Sequence, residues 1–343
     1  MAWLAVALAA FFLFAVAVVT DKLMLSRTTL APLSYAFSIC LMSALASFVL
    51  DLPILIAERA FFLPRGFPLA AVSVCGVAQF FGLLFMFEAV QRGEVSKTSP
   101  VIVSLQPVAS LLLTLVLPPL LHSLAPRGSL GLEMISARRL AGVAMIIAGS
   151  YLLSQAGGKK TALTRAAWLY TALAGLLLAV ANVFADISYT VFERAYLPPG
   201  TGAGGRELMF AKTFLWSRWM SLAGALAFVA LTGRFSSLRR KAAGRAETPG
   251  ERPLRAGWVA LLFLFGQGCG ALAVVLQQYA IKLGNVVAVT ALGGVQFFFV
   301  IALTAMFSRA FPRLLREESA RGILLQKVLW SALMFGGIVL LAI

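Results

Sequence analysis

Two stretches of this chain, one in each half, are versions of each other. FEAVQRGEV at Phe87–Val95 aligns with QYAIKLGNV at Gln278–Val286, and Ala, Gly and Val recur at the same places. Farther on, Arg139–Leu153 aligns with Lys327–Leu341. There Ala148-Gly149 meets Gly336-Gly337, and Leu152-Leu153 meets Leu340-Leu341. Each copy carries five apolar runs. After an odd number of crossings, the second copy enters a membrane from the opposite side. The halves 1–160 and 161–343 are therefore expected as inverted repeats.

The runs lie roughly at 2–21, 31–50, 67–90, 98–121, 138–155, 166–191, 208–232, 256–281, 286–308 and 323–343. About 20 apolar residues span the hydrocarbon core as a helix. A closed barrel is the other spanning solution, but these runs are too long and too continuous for tilted strands. The expected fold is all-α and integral to the membrane, with ten transmembrane helices. Composition agrees. The chain is 61% hydrophobic and 12% charged, against roughly 45–50% and 25% in soluble domains.

The net charge of +16 would suggest nucleic acid in a soluble protein. Here most basic residues sit in short connectors, where orientation and anionic headgroups account for them, so no nucleic-acid partner is expected. The odd-numbered connectors hold roughly twice the Lys and Arg of the even ones, which favours both termini outside. Cys40, Cys75 and Cys269 lie in apolar runs without CxxC spacing, and His122 is the sole histidine. Neither a metal nor a cofactor is expected. Met1–Thr20 lacks a basic leader and reads as the first span. The longest polar connector, Arg234–Arg255, is too short for a catalytic domain, and Pro118–Gly131 is an insertion before the fifth span.

Polar residues inside spans are the functional candidates, because each costs on the order of 2.5–3.5 kcal/mol at the helix centre if charged. Asn182, Asp186 and Tyr189 share one helix face; a carboxylate there binds a cation or proton, or simply pairs near the membrane end. Gln267, Gly270, Val274, Gln278 and Lys282 form a stripe, flanked by Gln277 and Tyr279. Such amides suit a polar organic solute; their alternative role is bonding between helices. Span four sets Ser99, Val103, Gln106, Ser110 and Thr114 on one face, with Pro100 and Pro107 loosening the helix. Span nine carries Thr290, Gly293, Gly294 and Gln296; its glycines serve packing or a hinge. Gln79 and Glu88 point to opposite faces of span three. Glu88 either pairs with Arg92 one turn later or acts as a buried protonatable coupling group. Arg218 binds an anion or snorkels to the headgroups, with Trp216 and Trp219 beside it as an interfacial belt.

Taken in order and in duplicate, these segments resemble the drug/metabolite transporter superfamily, in its EamA-like ten-helix branch. The motifs are FMFEAVQRGEVSKTSPVIVSLQP with LQQYAIKLGNVVAVTALGGVQ, and LEMISARRLAGVAMIIAGSYLL with REESARGILLQKVLWSALMFGGIVLL. Lys22 resembles a common lysine of that branch. The resemblance implies a transporter rather than an enzyme, with alternating access around a central site. It also implies termini in the cytoplasm, opposite to the charge bias, and a multi-pass place in a bacterial inner membrane. Span seven is peripheral in that branch, which favours snorkelling for Arg218. The expected substrate is a small polar or amphipathic, amino-acid-like metabolite, with protons or a counter-substrate as coupling partners and a monomer or homodimer as the unit. Phosphorylated or nucleotide-linked anions are the alternative, favoured by the basic excess, with Arg218, Lys22 and Lys282 placed for them. A lipid-group transferase would need clustered Asp or His, which the chain lacks. Phe87 against Gln278 and Glu88 against Tyr279 break the repeat's symmetry, and substrate choice is expected there.

Overall fold

The computed structural model describes residues 2–27, 31–58, 63–92, 95–121, 136–155, 165–235, 256–307 and 321–342. No strand occurs among the described residues. The helices are α1 (Ala2–Arg27), α2 (Pro32–Glu58), α3 (Phe67–Arg92), α4 (Val95–Leu120), α5 (Ala137–Gln155), α6 (Arg165–Tyr196), α7 (Ala203–Thr232) and α8 (Ala256–Leu283). After them come α9 (Val286–Ala291), a 3-10 turn (Leu292–Gly294), α10 (Val295–Phe307) and α11 (Arg321–Ala342). His122, the 236–255 stretch of the basic connector and most of the Pro118–Gly131 insertion lie outside the described residues. So does the side chain of Lys22.

Six of the described helices are long and apolar enough to cross a membrane; Pro32–Phe48, Leu140–Gly149 and Val286–Val300 are shorter apolar stretches. The surface fits that setting. Leu112, Leu176, Leu226, Leu261 and Phe265 all point outward, an apolar exterior too extensive for water. Several hydroxyls inside the helices are satisfied locally: Thr171, Ser188, Thr213 and Thr290 each donate to the carbonyl four residues back. Asn285 starts α9, its Oδ1 accepting from the Val287 and Ala288 N–H groups.

Packing is dominated by α3 on α6, α1 on α8, and α5 on α11. The last pair is reciprocal. A Cβ at Gly149 would stand 2.5 Å from Met334 Cγ and 3.0 Å from the Trp330 carbonyl; one at Gly337 would stand 2.6 Å from the Gly142 carbonyl and 2.7 Å from Ile146 Cγ1. The repeat alignment equates Gly149 with Gly337, Gly142 with Trp330 and Ile146 with Met334. Each glycine thus admits the counterpart of its own neighbours, along two helices that run antiparallel. The core follows the same centre: Phe11, Val143, Ile146, Val183, Ile187, Ile281, Leu292 and Met334 pack into one cluster.

Candidate functional site

A cavity of about 320 Å³ lies where α1–α4 and α6–α10 converge. Several of its lining residues fall at positions that the sequence alignment equates. Leu83 and Val274, Met86 and Gln277, Phe87 and Gln278, Ser99 and Thr290, and Ile102 and Gly293 are equated by the alignment, and both members of every pair face the cavity. Glu88 and Tyr279, also equated, both turn away from it.

The amides carry most of its polarity. Gln79, Gln106, Asn182, Gln267, Gln277, Gln278 and Gln296 line it. Four polar side chains join into one chain across α4, α6 and α8. Tyr189 Oη donates to Gln278 Oε1 (3.3 Å), Gln278 Nε2 to Asn182 Oδ1 (3.2 Å), and Asn182 Nδ2 to Gln106 Oε1 (3.5 Å). Asn182 and Gln278 are buried, so each bond answers a group that hydrocarbon would leave unsatisfied. Helix phase explains the convergence: Asn182 and Tyr189 share the α6 face, and Gln267, Gly270, Val274 and Gln278 share the α8 face. Gln278 and Asn182 line the same cavity as Gln79 and Gln296.

Other candidates lie elsewhere. Asp186 is buried on α6 but does not line the cavity. Glu88 pairs with Arg92 at 3.0 Å, and the Arg92 guanidinium lies 4.6 Å from the Tyr170 ring centre. Tyr279 Oη donates to Glu207 at 3.0 Å; Lys282 reaches Glu193 at 3.4 Å and donates to the Arg206 carbonyl at 2.7 Å. These groups form a polar cap at the end of α8. Ser110 and Thr114 face away from the cavity, while Ser99, Val103 and Gln106 of the same helix face it. The α9–α10 break falls at Gly293-Gly294, where the chain passes through the 3-10 turn.

Arg218 does not snorkel. It is 3% exposed and lines the cavity. The reason is Gly76. A Cβ there would stand 2.5 Å from the Ser221 amide nitrogen and 2.6 Å from the Ser217 carbonyl. Glycine lets the α7 backbone close on α3, which turns the Arg218–Ser221 face inward.

One polar cluster had no sequence signal strong enough to single it out. Asp21, at the end of the first apolar run, lines the cavity and accepts a hydrogen bond from Tyr35 Oη. Tyr35 Oη in turn accepts from Gln267 Nε2 at 3.2 Å. This joins α1, α2 and α8. Tyr35 is held edge-on to Phe87, ring centres 4.8 Å apart. Asp21 reads in sequence as a helix-end charge next to Lys22, and Tyr35 as one aromatic among many.

No protein-family profile and no curated protein matches the chain. A solved structure described only as "Crystal structure of protein" aligns over 99% of this chain and 96% of its own, with a TM-score of 0.61 and 16% identity. At that identity the likeness is one of fold alone.

Proposed function

We propose that this chain is an EamA-like secondary transporter of the drug/metabolite transporter superfamily. Ten membrane-spanning helices form two inverted five-helix halves, which carry a small polar or amphipathic, amino-acid-like metabolite by alternating access. The observation that carries the reading is the amide-lined cavity whose walls come in repeat-equated pairs. A transporter of this design needs a site that both halves build and that either side can reach as the halves rock. The antiparallel reciprocity of α5 and α11 supports the same symmetry. Amides and hydroxyls bind polar organic groups by hydrogen bonds, and the Phe11, Phe14 and Phe87 walls suit an apolar side chain. Among the described residues, the lining holds no pair of acids and no histidine to serve as a general base. That favours binding over chemistry.

The reading is tested by reconstituting the purified chain in liposomes and measuring uptake of labelled amino acids, with and without a pH gradient. Saturable uptake above protein-free liposomes is the expected result. Its absence for every amino acid sinks the transport reading, and indifference to the gradient sinks proton coupling.

A further inference from the structure

We infer that Arg218 is the anion-binding residue of the cavity and that it seats a single substrate carboxylate. The inference rests on the transport reading for the word substrate, but the site itself stands on geometry.

Arg218 lies midway along α7 and is buried, yet it lines the cavity. Its described partners are uncharged. Nε donates to Ser217 Oγ at 3.2 Å, and the guanidinium carbon sits 5.0 Å from the Phe214 ring centre. Among the described residues, Nη2 has no hydrogen-bond partner. Taking a guanidinium out of water costs several kcal/mol, and leaving one of its donors unmade adds to that. A charged group this deep in an apolar helix points to a site that an arriving ligand completes. Nη2, left unsatisfied, is itself buried on a side chain that lines the cavity, and paired with a neighbouring N–H it makes the kind of edge that grips a carboxylate with two parallel donors. Ser221, one helical turn on, also lines the cavity, with its hydroxyl 3.2 Å from Cys40 Sγ. It supplies a second polar contact on the same face.

Charge decides between the anions. Arg218 is the one basic side chain in the described lining, and Asp21 the one acidic side chain. A monoanion balances one guanidinium. A phosphate dianion would bring an excess negative charge into a low-dielectric cavity that already holds a carboxylate. The same pairing suits a dipolar ion, with its carboxylate on Arg218 and its amine toward the Asp21 end.

The full-length protein in nanodiscs is titrated with each of the twenty L-amino acids and with the matching C-terminal amides, and thermal stabilisation is read for wild type, Arg218→Gln and Arg218→Lys. Inorganic phosphate is titrated as a separate arm. The expected result is that at least one acid stabilises wild type, its amide needs about tenfold more or worse, and Arg218→Gln erases the difference. Arg218→Lys keeps the charge without the two-pronged edge and is expected to fall between. If Arg218→Gln does not fold, the acid-against-amide comparison on wild type, with Arg218→Lys beside it, decides. The proposal is overturned if no acid stabilises, if amides bind as well as acids, if the acid preference survives in Arg218→Gln, or if phosphate outcompetes every acid. Arg218-dependent acid binding without flux in liposomes would sink the transport reading and leave this site standing. Flux that treats acids and amides alike would do the reverse.

Discussion

Two seams that the repeat equates are built in opposite ways. Extending the alignment of Phe87 with Gln278 back along the helices sets Gly76 of α3 against Gln267 of α8. At Gly76, α7 closes until backbone nearly touches backbone. At Gln267 the partner helix is α2, which touches α8 only sparsely, and the amide reaches across to Tyr35 and through it to Asp21. The first seam is a packed contact, stiff because close-packed atoms resist sliding. The second is spanned by hydrogen bonds, worth roughly 0.5–1.5 kcal/mol each, which can break and remake. A two-state machine needs both: an interface that stays and one that opens. The α3–α7 seam holds Arg218 in place, and under the proposed alternating access the sparser α2–α8 seam is the one expected to give.

The comparison breaks most decisively at Gly76. Gly76→Leu drives a side chain into the α7 backbone and should cost about 1–3 kcal/mol or more, read as a large fall in thermal stability. Gln267→Leu at the equated position should leave the fold intact. Equal losses at the two positions would dissolve the distinction between the seams. Next comes Asn182, which both donates to Gln106 and accepts from Gln278. Asn182→Leu strands both amides, and thermal denaturation should report about 1–3 kcal/mol. Gln106→Leu, at the end of the chain, should cost less.

Tyr35→Phe keeps the ring against Phe87 but removes the hydroxyl that joins Asp21 to Gln267. Its stability cost should be about 1 kcal/mol, while the liposome flux rate should change by more than that loss predicts. Asp21→Asn should alter the response of flux to a pH gradient. An unchanged rate in Tyr35→Phe would mean that the bridge plays no part in the movement. The smallest effect belongs to Glu88→Gln. The Glu88–Arg92 pair is partly exposed, and such pairs contribute about 0–1 kcal/mol. Flux and its pH response should be near wild type; a lost gradient dependence would restore Glu88 as a coupling residue.

What could be read in advance followed from periodicity. Asn182 and Tyr189, or Gln267, Val274 and Gln278, share faces because 3.6 residues make a turn. An amide on an apolar helix must face protein or cavity, because lipid offers it no partner. Depth was legible too, which is why Arg218 stood out. Direction was not. Glu88 and Arg218 are both charges within apolar helices. Which one turns to the cavity depends on the neighbour each helix meets, and Gly76, the residue that admits α7, is far away in sequence. Asp21 and Tyr35 escaped notice for a related reason: an acid at the end of a run looks solvated until a third helix covers it.

The amino-acid sequence by itself determined the helical, membrane-embedded class, through the length and continuity of its apolar runs, and it holds the segments of the two halves that align. It also set which amides share a face, because each helix has one phase. Only the tertiary structure decided how the aligned positions differ in use. Gly76 and Gln267 occupy equated positions, yet one lets backbones meet and the other reaches across a gap. That outcome belongs to the partners α7 and α2, since the space around a side chain is set by what packs against it and not by its own helix.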